Sequence, residues 1–191
     1  TDIKVVVPKS ASPVSVTSSL GLQLDPTDPD KLWVAFRTMV PPAIKGGVYL
    51  ANLTSHEVID AVDLTSLSPS LMMNDLVVDA KGKFAYATDT SGEQVIRIDA
   101  ATFEPSVLAA DLCPACTGGN NGPNGIEMIN DLLIVSIFGP NPPTDGSLVS
   151  VDITTSEVQT LPVTPAMYMR QGDGLVFDTE KEFLFYVSNG Y

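Results

Sequence analysis

Asn74, Asn124 and Asp173 stand 50 and 49 residues apart, each just ahead of a short apolar run. Carboxylate and amide oxygens with no His or Cys among them suit a hard cation. Ca²⁺ accepts about 6–8 oxygens at flexible geometry, whereas Mg²⁺ demands a tighter octahedron. Calcium is therefore the expected cofactor, with Asn74, Asn124 and Asp173 as its ligands. One anion and two amides do not fill such a sphere, so water, substrate and residues from elsewhere must complete it. A cation held there would polarise a carbonyl or phosphoryl oxygen and acidify a bound water, and Asp173 is the candidate catalytic group that orients or deprotonates the nucleophile. The single histidine, His56, falls in an outer turn and is no candidate base. Asn and Asp before Gly, as in Asn124-Gly125 and Asp173-Gly174, are also ordinary turn residues. Only a shared structural column separates the two readings.

Such a column requires a repeat, and four segments supply one: Leu20 to Asp25, Asn74 to Asp79, Asn124 to Ile129 and Asp173 to Asp178. Their third residues, 22, 76, 126 and 175, lie 54, 50 and 49 apart. That period is close to the roughly 40–50 residues of a four-stranded propeller blade. A second strand follows each segment across a short polar turn: Leu32 to Phe36, Phe84 to Thr88, Leu132 to Ile137 and Phe183 to Val187. In the first three units a third strand comes next (Gly47 to Leu50, Val95 to Ile98, Ser147 to Val151) and runs into a recurring turn that starts at Asn52, Asp99 and Asp152. A fourth strand closes each (Val58 to Val62, Val107 to Ala110, Val158 to Val163), and the fourth unit reaches only its second strand.

The expected fold is thus all-β: a single β-propeller domain over 1–191, about 3.5 blades of a six-bladed ring, at about 14–65, 70–112, 122–164 and 170–191. A β-sandwich also strings short strands together, but it does not call for the same turn at the same offset three times. In a propeller the first strand of each blade lines the central channel, so equivalent residues sit at one height around the axis. Three and a half blades leave an open edge, which missing blades or a second chain would complete.

Composition agrees. Hydrophobic residues make up 44% and charged ones 17%, with 14 Gly and 15 Pro, a balance for short strands and turns. The net charge of −13 repels phosphate backbones and anionic lipid, so neither nucleic acid nor a membrane is an expected partner; a small-molecule substrate is. No apolar run approaches the ~20 residues that span a bilayer. The chain opens with Thr1-Asp2-Ile3-Lys4, without an initiator Met or a signal core, and reads as a processed or truncated product.

Asn74-Asp75-Leu-Val-Val-Asp79 followed by Phe84-Ala-Tyr86-Ala-Thr88-Asp89, then Pro123-Asn124-Gly125-Ile126 and Gly172-Asp173-Gly174-Leu175, resemble the senescence-marker-protein, gluconolactonase and luciferin-regenerating-enzyme family of six-bladed propellers. The resemblance covers about residues 70–190, and the first unit joins through the repeat. It implies that the matching Asn, Asn and Asp bind a catalytic divalent cation, usually calcium, and that the Asp serves in proton transfer during lactone or ester hydrolysis. A further acidic ligand in that family comes from a blade with no match in this chain. Gluconolactonase-like members tend to carry an Arg just before the first Asn. Met72 and Met73 stand there instead, which suits an apolar substrate at least as well as a sugar lactone.

Met73, Met128, Phe138, Tyr168 and Arg170 flank the expected channel mouth as pocket candidates, or pack in core and loops. Cys113-Pro-Ala-Cys116 precedes a Gly/Asn-rich connection into Asn124. Without a second pair for zinc or a thioredoxin-like helix, a disulfide clamping that loop is the first reading, and two free thiols the other. Asn52-Leu53-Thr54 is a glycosylation sequon. Sequon and disulfide together agree with a secreted, extracellular protein. The leading functional expectation is a calcium-dependent lactone or ester hydrolase. The alternatives are a non-catalytic ligand-binding propeller similar to the royal-jelly and yellow family, or a strictosidine-synthase-like protein.

Overall fold

In the computed structural model the described residues are 18–38, 45–68, 71–114, 116, 121–139, 147–163 and 171–189. They form fourteen strands and, among the described residues, no helix. The first sheet comprises β1 (Ser18–Asp25), β2 (Asp28–Thr38), β3 (Lys45–Asn52) and β4 (Glu57–Asp63). The second comprises β5 (Met73–Val78), β6 (Phe84–Asp89), β7 (Gln94–Asp99) and β8 (Pro105–Ala109). The third comprises β9 (Gly122–Ile129), β10 (Leu132–Phe138), β11 (Ser147–Asp152) and β12 (Val158–Leu161), and the last is the hairpin β13 (Gly172–Asp178) and β14 (Phe183–Ser188). Every sheet is an antiparallel meander in chain order.

The recurring turn is built the same way three times. The side-chain oxygen of Asn52 accepts from the N–H groups of Thr54 and Ser55, that of Asp99 from Ala101 and Thr102, and that of Asp152 from Thr154 and Thr155. The carbonyl of the same residue then accepts from the N–H four places on, at His56, Phe103 and Ser156. Each of those three residues takes a positive φ, at 61°, 56° and 62°. An Asx side chain that satisfies two amides at once makes such a left-handed position tolerable without glycine.

Successive sheets pack face to face. Trp33, Ala35, Val48 and Leu50 of the first bury against Leu76, Ala85, Ala87, Ile96 and Ile98 of the second. Val77, Tyr86 and Val95 from the opposite face of the second bury against Ile126, Leu133, Val135 and Val149 of the third, and Ile134 and Leu148 meet Leu175. Strand residues alternate between two cores, which is why β6 and β10 read as nearly unbroken apolar runs. Between sheets the contacts gather on the first strands: β1 meets β5, β5 meets β9, and β9 meets β13. Sheets that converge on their first strands are blades, and the fold is a partial β-propeller of about three and a half.

Both ends of this stack expose apolar side chains. Leu22 and Leu24 of β1, and Val176, Phe183, Phe185 and Val187 on the last hairpin, are all more than half exposed. On the face of the first blade turned away from the second, Val34, Phe36 and Tyr49 are buried.

Trp33 anchors the first junction. Its ring is fully buried and stacks on Phe103 at 5.4 Å between centroids, and its indole N–H donates to Asp25 at 2.9 Å. Removing it empties a site walled by two blades. Trp33→Ala is expected to cost about 3–5 kcal/mol, read by urea denaturation. A loss below about 1 kcal/mol would contradict this account of the junction.

Candidate metal centre on the inner strands

Each inner strand carries a β-bulge at the same place. Residues 20–21 face only Ala35, Asn74 and Asp75 face only Thr88, Asn124 and Gly125 face only Ser136, and Asp173 and Gly174 face only Val187. The column holding Asn74, Asn124 and Asp173 is thus the first residue of a bulge inside a strand, and not a turn that leads into one. A bulge re-aims its side chains relative to a regular ladder.

Two hydroxyls fill the gaps. Thr88 Oγ1 accepts from the Asp75 N–H at 3.0 Å and donates to the Asn124 carbonyl of the next blade at 2.5 Å. Ser136 Oγ accepts from the Gly125 N–H at 2.9 Å and donates to the Asp173 carbonyl at 2.7 Å. Both side chains are fully buried. Inner-strand side chains also reach forward: Gln23 accepts from the Val78 N–H at 2.6 Å, and Glu127 from the Phe177 N–H at 3.2 Å. Glycine allows so close an approach. A Cβ on Gly125 would lie 2.0 Å from the Asp173 carbonyl oxygen.

Asn74 is half-buried, and its amide nitrogen donates to Thr90 Oγ1 at 3.3 Å. Asn124 is buried, and its Oδ1 has no hydrogen-bond partner among the described residues. Asp173 is half-buried and accepts from Asn189 Nδ2 at 2.7 Å. A buried amide oxygen left without a donor is costly. Among the described residues no three His, Cys, Asp or Glu side chains gather to hold a metal. The column offers two amides and one carboxylate, a set for a hard cation, and the orphaned Asn124 oxygen fits that use.

Asp75 was not expected here. Its Oδ1 accepts from its neighbour's N–H at Leu76 (2.9 Å) and its Oδ2 from Ile126 on the next blade (3.3 Å). Burial above all pushes its carboxyl up to about 6; the two backbone donors oppose this, and the charges of Asp173 and Glu127 add to it. A signal existed in the repeat: the second bulge position is Gly21, Gly125 and Gly174 in the other blades, and aspartate only in this one. Tyr186 is the other addition. Its hydroxyl lies 2.4 Å from where a Gly172 Cβ would stand, one residue before Asp173. Burial, then the Asp173 charge, pushes that hydroxyl up to about 12.

The pocket candidates fare differently. Met73 is fully buried in the core between the first two blades, so it packs there and lines no pocket. Its place beside Asn74 in sequence turns it, by strand alternation, toward that core. Met128 packs half-buried against the next core, and Phe138 is half-buried at the end of β10. Tyr168 and Arg170 lie outside the described residues. Cys113 and Cys116 are joined in a disulfide, and Cys116 joins the core between the second and third blades. Asn52 spends its side-chain oxygen on the turn it starts.

No family model and no curated protein matches the chain. Solved structures do. The major Malassezia sympodialis allergen Mala s 1 aligns at TM-score 0.68 and 15% identity over 90% of this chain and 57% of that one. A chain of a nidogen/laminin complex aligns at 0.64 and 16% over 90% and 57%, and the Dos1 propeller at 0.64 and 12% over 91% and 40%. Identities this low establish the β-propeller fold alone. This chain spans 57% of the length of the first two of these structures and 40% of the third.

A carboxyl raised from 3.8 to about 6 favours folding while protonated. Its contribution is therefore full below the unfolded value and is lost as pH rises through about 6. Melting temperatures of the wild type and Asp75→Asn, taken in chelator, should diverge accordingly. The wild type should fall relative to the variant between pH 4 and 7, since hydrogen bonds lost to the amide add only a constant offset. A gap that stays fixed over that range would refute the desolvated carboxyl.

Proposed function

We propose that this propeller is a calcium-dependent hydrolase of lactones or related esters, with its cation held at the bulge column by oxygens of Asn74, Asn124 and Asp173. The observation that carries this reading is the buried, unpartnered Asn124 Oδ1, which shares its bulge position with Asn74 and Asp173 on the strands either side. The resemblance of residues 70–190 to the senescence-marker-protein and gluconolactonase family supports it. When bound, the cation would supply Lewis acidity to a substrate oxygen and lower the pKa of a coordinated water. Asp173 is the base of the proposal. Asn189 donates to its Oδ2 and orients the carboxylate, one oxygen of which would hold the cation while the other accepts a proton from the attacking water. Asp75 adds negative charge close behind the column.

The ring is proposed to be completed by further blades. The exposed apolar faces of β1 and of the β13–β14 hairpin support this, as does the 40% of the Dos1 propeller chain that these blades account for. The Cys113–Cys116 disulfide supports an oxidising, extracellular setting.

The test is metal content by mass spectrometry, with thermal melting in chelator and after calcium is restored, followed by an ester and lactone screen. Stoichiometric calcium, a reversible fall in melting temperature on chelation, and loss of both binding and turnover in Asp173→Ala are expected. Tight ligand binding that survives chelation, with no turnover, would replace this reading with that of a non-catalytic binding propeller.

A further inference from the structure

Three buried hydroxyls from second strands or the turns after them each cross to the next blade's inner strand. Thr88 donates to the Asn124 carbonyl, Ser136 to the Asp173 carbonyl, and Thr90 Oγ1 to the Pro123 carbonyl at 2.7 Å. All three side chains are fully buried. The first blade offers no such tie at the bulge, because Ala35 stands opposite it. Asn74, one blade on, thus lacks the backbone anchor that Asn124 and Asp173 receive. It is held by its side chain, which donates to Thr90.

Proton counting decides how. A hydroxyl has one proton and two lone pairs. Thr90 spends its proton on the Pro123 carbonyl, so its oxygen can only accept from the Asn74 amide. The amide nitrogen must face Thr90, and the flipped arrangement would set two acceptors against each other. The Asn74 oxygen is therefore turned to the other side, free of Thr90. Amide orientation is ordinarily assigned from the surrounding network, and here the network admits one answer.

We infer that Thr90, Thr88 and Ser136 are positioning residues for the cation site: Thr90 presents the Asn74 oxygen, while Thr88 and Ser136 set the backbone from which Asn124 and Asp173 project. This rests on the cation reading above. None of the three touches the ion; each fixes a group that does. Partners of this kind, one step removed from a metal, typically change affinity by about 10–100-fold when removed.

The test is calcium affinity by isothermal titration of the folded proteins, with terbium luminescence as a second readout and melting temperature in chelator as the measure of apo stability. Thr90→Val keeps the shape and removes the acceptor, and should weaken calcium binding about tenfold or more. Thr90→Ser restores the hydroxyl and should bind within about threefold of wild type, since its oxygen can play the same part. Ser136→Ala should weaken binding similarly. A merely structural role would lower the apo melting temperature and leave the affinity of the folded protein unchanged. Wild-type calcium binding with Thr90→Val and Ser136→Ala within about threefold of it would overturn the inference and leave the cation reading standing. A wild type that binds neither calcium nor terbium would sink the cation reading and this inference with it.

Discussion

Backbone meets backbone where the inner strands of neighbouring blades approach one another, and the rest of the molecule is arranged around that closeness. At the junction between the third and fourth blades there is no room for a methyl group, since a Cβ on Gly125 would sit 2.0 Å from the Asp173 carbonyl oxygen. A regular ladder has no spare donors to offer across such a gap. In the second and third blades the bulge frees an amide, the Thr or Ser opposite accepts from it, and the same hydroxyl passes its own proton to the next blade. One local irregularity thereby satisfies two buried backbone groups and fixes the spacing of the blades.

The apolar cores follow from that geometry. Sheets held together at their first strands turn their faces to one another, so each middle sheet is covered on both sides and its first three strands feed two cores by alternation. The candidate ligands occupy the part of this arrangement where polar groups are unavoidable. Asn74, Asn124 and Asp173 lie where bulges already bring amides and carbonyls together, and Asn124 ends with an oxygen that no described residue satisfies.

Much of this was legible in the chain. The blade strands stand within a few residues of their expected places because each blade repeats one pattern, and the Asx turns at Asn52, Asp99 and Asp152 carry their geometry in their composition. The bulges were not legible, since a bulge is a mismatch between two strands and neither strand alone encodes the register. Asp75 is marked in the repeat, as aspartate where the other blades carry glycine, but its desolvation against Ile126 shows only in the pairing. Nothing in the sequence alone sets Thr88, Thr90 and Ser136 apart, since the carbonyls they reach lie on the next blade. Of the two readings open for Met73, pocket or core, alternation along the strand selects the core.

The central claim is that the orphaned Asn124 oxygen is a cation ligand, and a crystal structure grown in calcium, with anomalous data collected to locate the ion, tests it most directly. The account predicts one anomalous peak about 2.3–2.6 Å from Asn124 Oδ1, shared with the side-chain oxygens of Asn74 and Asp173. Asn124 Oδ1 hydrogen-bonded to an ordered water, with calcium absent from the column or bound only elsewhere, would contradict it.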